Sequence, residues 1–190
     1  PYMSTNTAKK LVKAIQDYCE NGYTLFGWNL VAFDIPVIAH YSGLIEECSR
    51  IALNCIDGML LVTFNKGYYL GLDAALKGAG IEGKIHYVTL NDGRTISDMS
   101  GKKAPELWRN KEFDAVREYL KGDVVQPLKL GQMIEKTNSI KWFSKTDRPM
   151  AVFTKFDIVK NLFSLPCPNT SWMTDPPKRG DFVSWIPREI

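Results

Sequence analysis

The stretch Gly27-Trp28-Asn29-Leu30-Val31-Ala32-Phe33-Asp34-Ile35-Pro36 decides how the chain is read. It follows an apolar run, Thr24 to Trp28, that has the length and character of a short buried strand. Asn29 to Asp34 is then a polar turn, and Pro36 suits the first turn of a helix ending near Ser42, before Gly43. A strand thus hands an Asn and then an aromatic-Asp pair to the mouth of a helix. Taken alone, an Asp there is an N-cap or a partner of the helix dipole.

Before this stretch, Leu11, Ile15 and Tyr18 recur at helical spacing, with Thr5, Asn6 and Thr7 as capping choices and Asn21-Gly22 as a stop. After it, Ile51–Val62 admits a strand over 51–56 and a helix over 57–64. Leu70 to Ala79 reads as a helix closed by Gly80. Residues 84–103, with Asn91-Asp92-Gly93 at a turn, read as an irregular or hairpin connection. A long helix starts near Lys111, with Phe113, Val116, Leu120 and Val124 three and four apart. Gly122 weakens it, and Pro127 is expected to kink it.

That helix carries the second informative pattern, Tyr119-Leu120-Lys121-Gly122-Asp123, which puts a phenol and a carboxylate on one helical face. Alone, such a pair is a half-buried ring beside a solvated acid. Together, Asp34 and Asp123 are hard oxygen donors on different elements. Phosphodiester hydrolysis by two Mg²⁺ ions about 4 Å apart needs such donors.

At these residues the chain resembles the DEDD 3′–5′ exonucleases in their tyrosine form, in particular the proofreading exonucleases of family B DNA polymerases. Asn29-xxx-Phe33-Asp34 is similar to their second motif and Tyr119-xxx-Asp123 to their third. The segment from Tyr68 to Gly83-Lys84 resembles the helix and loop between them. The likeness covers roughly residues 5–137. It implies an α/β, ribonuclease-H-like fold, a mixed sheet flanked by helices, here without its N-terminal strands. It implies that Asp34 binds metal chiefly through water and that Asp123 binds it directly. Tyr119 would hold the attacking water, Asn29 would lie beside the terminal nucleotide, and Phe33 would pack under the turn to fix Asp34. The implied cofactor is Mg²⁺ or Mn²⁺, and the implied partner is a single-stranded nucleic-acid 3′ end, DNA ahead of RNA.

One part of the family pattern is missing. None of the twelve aspartates is followed two residues on by Glu, so the Asp-x-Glu first motif is absent. The chain opens on Pro1 at the helix that normally follows that motif. Three explanations stay open: a longer gene product, a shortened inactive relative, or a likeness without kinship. With two carboxylates of four, binding of two ions should be poor and hydrolysis negligible. A truncated sheet would leave a strand edge near Thr24–Trp28 open to another copy.

Composition adds limits. A formal charge of +3 and a pI near 8.7 are compatible with a nucleic-acid partner without requiring one. Cys19, Cys48, Cys55 and Cys167 form no CxxC pair, and with only His40 and His86 no zinc site is indicated. Free thiols and the lack of a leader or an apolar run of spanning length point to a cytoplasmic protein. Residues 138–190, rich in Pro and Trp, read as an extension wrapped on the core. An alternative function is a non-catalytic nucleic-acid-binding or interaction module. Trp142, Phe143, Lys145 and Arg148, then Trp172, Lys178, Arg179 and Trp185, interleave rings and cations as strand-binding surfaces do.

Overall fold

The computed structural model describes residues 3–83 and 85–187. It is a mixed α/β structure in which helix predominates. Helix α1 (Thr5–Glu20) is capped by Ser4, whose hydroxyl accepts from the Thr7 amide, and ends at Asn21 before Gly22. The cap thus falls one residue before the expected trio. Its buried stripe runs through Ala8 and Val12 with Ile15 beside them, while Leu11 and Tyr18 face outward. Strand β1 (Phe26–Gly27) is shorter than the predicted 24–28. Residues Leu30–Asp34 form a π-helical turn that runs into α2 (Ile35–Ser42), stopped by left-handed Gly43.

Of the run 51–56 that admitted a strand, residues 51–54 close a helix, α3 (Ile45–Asn54), and only Ile56 enters a strand. Cys48, Ile51, Ala52 and Cys55 recur three, four and seven apart on its buried side, and Glu46 and Glu47 sit in its first turn, favourable to the dipole. The strand that follows, β2 (Ile56–Asp57), pairs in parallel with β1, Phe26 opposite Ile56 and Gly27 opposite Asp57. Asp57 then caps α4 (Gly58–Lys66), which is buried along most of its length.

Helix α5 (Leu72–Gly78) follows, then a small antiparallel hairpin, β3 (Val88–Thr89) and β4 (Thr95–Ile96), turning at Gly93. After α6 (Ala104–Arg109) comes the 25-residue α7 (Phe113–Thr137), which continues through both Gly122 and Pro127. A second hairpin, β5 (Ser139–Phe143) and β6 (Pro149–Phe153), a short α8 (Val159–Leu162) and a 3₁₀ turn (Arg179–Val183) complete the chain. Among the described residues the sheets are three separate two-stranded pairs, not the single mixed sheet that was expected.

Two apolar clusters organise these elements. The larger joins α1–α5 to Leu130 and Ile134 of α7 and to Ile140, Trp142, Val152, Val159, Leu162 and Phe182. Residues on both sides of position 138 therefore share one core. The smaller gathers Val88, Met99, Leu107, Ala115, Val116 and Tyr119. Helix α7 is the beam between them, its first half in the small cluster and its second half in the large one. Close approaches need glycine at several places, two of them between elements far apart in sequence. A Cβ on Gly131 would lie 2.8 Å from the Phe26 ring, and one on Gly78 would run into the Lys141 carbonyl oxygen of β5.

Candidate functional site

The site is built outward from Asp57. In the parallel register it sits opposite Gly27, directly beneath the chain leaving β1. Fully buried, its carboxylate accepts from the amides of Asn29 (2.9 Å), Val31 (3.1 Å), Met59 (3.0 Å) and Leu60 (3.3 Å). Burial pushes this carboxyl above its ordinary value, and the four peptide donors oppose that push. One side chain thus caps α4 and pins the turn after β1. Asn29 enters that turn in the left-handed conformation (φ 65°, ψ 29°), which Asn tolerates better than most residues. The π-helical turn then presents Phe33 and Asp34.

Asp34 and Asp123 line the same cleft, about 660 Å³ in volume, between the end of β1 and the middle of α7. Its walls include Phe26, Trp28, Leu30, Phe33, Leu120 and Val124. Asp34 is exposed at the rim, yet its apolar surroundings raise its carboxyl above the ordinary value, with a backbone hydrogen bond acting the other way. Trp28 is fixed by donation from Nε1 to the Leu70 carbonyl at 3.1 Å.

The other sequence-predicted residues are placed differently from one another. Tyr119 is only 5% exposed, packed in the smaller cluster, and is not among the residues lining the cleft. Burial first, and then the adjacent Asp123 carboxylate, raise its phenol above the ordinary value, while the Gly101 backbone lowers it. Asn29 touches the site through its backbone, by the bond to Asp57. Phe33 does not pack under the turn: it is 63% exposed, because the π-helical register carries it out onto the cleft wall. Lys84, the second residue of the Gly-Lys pair, lies outside the described residues.

Leu120, Val124 and Leu128, four apart along α7, all line the cleft and are exposed, Val124 by 67%. The sequence marks Leu120 and Val124 as part of the helix's apolar series without saying that they face an open groove. Asp57 was legible as the start of a helix, but its bonds to Asn29 and Val31 span 28 and 26 residues, and no local pattern records them.

Elsewhere, some rings and cations of the C-terminal region, Trp142 and Arg179 among them, are engaged in packing. Trp142 is buried in the main core. The Arg179 guanidinium donates to the carbonyls of Phe64, Leu165 and Pro166 and lies 4.8 Å above the Phe64 ring. Trp172 is exposed. All four cysteines are free.

As a cation site the cleft offers two carboxylates. Among the described residues no group of three or more His, Cys, Asp or Glu side chains could hold a metal. Two carboxylates fall short of the donors that two divalent ions need. Among the described residues no helix is long and apolar enough to cross a membrane. No family model, no curated protein and no solved structure matches the chain.

Proposed function

We propose that the chain is the core of a ribonuclease-H-like 3′–5′ exonuclease domain, in which the cleft receives a single-stranded 3′ end and Asp34 and Asp123 hold Mg²⁺ or Mn²⁺. What supports this above all is that two carboxylates far apart in sequence, on different elements, line one cleft. Their order and neighbours are those of the family the sequence resembles.

The cation, when bound, would supply positive charge for activating water at the phosphodiester. The chain's own residues hold and orient. Asp34 must lose its proton to bind, which its apolar surroundings make harder than usual. Phe33, Leu120, Val124 and Leu128 offer apolar surface on which an unpaired base can lie. Tyr119, beside Asp123, orients that carboxylate from within the packed cluster. These 190 residues carry two of the four carboxylates the chemistry uses, so hydrolysis by them alone is negligible. Strand β1 pairs with β2 alone among the described residues, and its other edge is a place for a further strand, from a second copy of the chain included.

The test uses the whole reading frame that encodes the chain, with Mn²⁺ or Mg²⁺ and a labelled single strand. The expected result is stepwise loss of 3′ nucleotides, reduced at least about a hundredfold by Asp34→Ala and by Asp123→Ala. Equal rates in the parent and both variants would exclude the assigned roles.

A further inference from the structure

The C-terminal segment reaches the turn that carries Asp34 through a hydrogen bond, and a proline explains why that bond is needed. In the π-helical turn the Ile35 amide donates to Leu30, five residues back. The next rung of this ladder would run from residue 36 to the Val31 carbonyl. Residue 36 is Pro36, which has no N–H. The Ile35 amide, the donor an α-helical register would use, is already committed to Leu30. The Val31 carbonyl therefore has no donor from its own helix, and Val31 is fully buried. A buried carbonyl in that position needs a partner from elsewhere.

Trp185 provides it. Its indole Nε1 donates to the Val31 oxygen at 2.9 Å, across 154 residues of sequence. The segment bearing Trp185 is itself anchored. Val183, Trp185 and Ile186 pack against the main core, and Arg179 ties the start of the 3₁₀ turn to the Phe64 carbonyl at 2.8 Å. On the opposite side, Asp57 takes the Val31 amide. Residue 31 is thus held through its N–H by Asp57 and through its C=O by Trp185. Phe33 and Asp34 lie two and three residues further along the same turn.

We infer that Trp185 is a positioning residue of the candidate site, acting through the Val31 carbonyl to fix the turn that carries Asp34. Its effect on a cation rests on the exonuclease reading, whereas its hold on the turn does not. The bond assigns the C-terminal segment a part in the site that its Pro- and Trp-rich composition does not reveal.

The test compares the full chain with Trp185→Phe, Pro36→Ala and the double variant. Trp185→Phe keeps a ring in the core and removes the donor. Pro36→Ala restores an N–H five residues after Val31. Amide hydrogen exchange is followed at Asp34 and Ile35, and Mn²⁺ affinity by electron paramagnetic resonance. We expect exchange about tenfold faster in Trp185→Phe and Mn²⁺ binding weakened several-fold, with both returning toward the parent in the double variant. A packing defect would not be reversed by a new donor at position 36. Exchange unchanged in Trp185→Phe, or equally fast in the double variant, overturns the inference. If exchange moves and is rescued while the parent itself binds no Mn²⁺, the latch stands and the exonuclease reading falls.

Discussion

Asp57 is a buried carboxylate held by four peptide N–H groups, and the turn carrying Asp34 is organised around it. Asp57→Ala abandons four donors in the interior and is expected to cost about 3–5 kcal/mol. Asp57→Asn turns an NH₂ against at least one of them and should cost about 1–3 kcal/mol. Urea unfolding midpoints measure both, and a loss below about 1 kcal/mol in the alanine variant would refute the clamp. Asp34 makes a prediction about pH. Its folded-state pKa lies above the unfolded value, so its contribution to stability is full below the ordinary carboxylate range and is lost as pH rises through the folded pKa. Asp34→Asn should therefore flatten part of the fall in stability as pH rises through and above the ordinary carboxylate range, measured without metal. In the parent, Mn²⁺ affinity should rise over the same interval. Asp34 and Asp123 were legible in the sequence because they stand in short patterns with fixed spacing. Asp57 was legible only as the start of a helix, because the partners that make it a clamp are brought to it by strand pairing. Phe33 was misplaced because a turn read from sequence does not disclose a π-helical register.

At the scale of elements, the helices with clear period or stops were the legible ones, α1, α2, α5 and α7, whereas α4, buried on nearly every side, was only one possible reading of its stretch. The misreading of 51–56 as strand has a physical cause, since a short apolar run does not distinguish a buried helix from a buried strand. Helix α7 shows a second limit. Its apolar series was legible, but the side open to solvent was not, because Leu120, Val124 and Leu128 line a groove instead of the core. Gly122 and Pro127, read as weak points, lie within one continuous helix whose buried side includes both. The tightest junction between elements is that of α5 with β5, where Gly78 meets the Lys141 backbone. Gly78→Ala should cost about 1–3 kcal/mol or more, because main chain and not a flexible side chain must yield. A variant as stable as the parent would show that the two elements separate more easily than the packing implies.

At the scale of the whole molecule, one core spans residues on both sides of position 138, and the cleft lies at the end of β1 beside α7. Three small sheets replace the single sheet that the sequence resemblance led us to expect. Strand pairing over distance is the feature least visible in local patterns. The open side of β1 also yields a prediction. Sedimentation over a wide concentration range should reveal self-association, reduced by a proline in place of the exposed Thr24, whose backbone groups face away from β2. A monomer at every concentration would remove the second copy as the partner of that edge.

The measurement that bears most directly on the shared role of the two cleft carboxylates is Mn²⁺ titration of this chain with Asp34→Asn, Asp123→Asn and the double variant. One weak site is expected, on the order of millimolar, weakened by either substitution, with the double variant little worse than each single one. Mn²⁺ binding that survives both substitutions, or losses that simply add, would contradict the account.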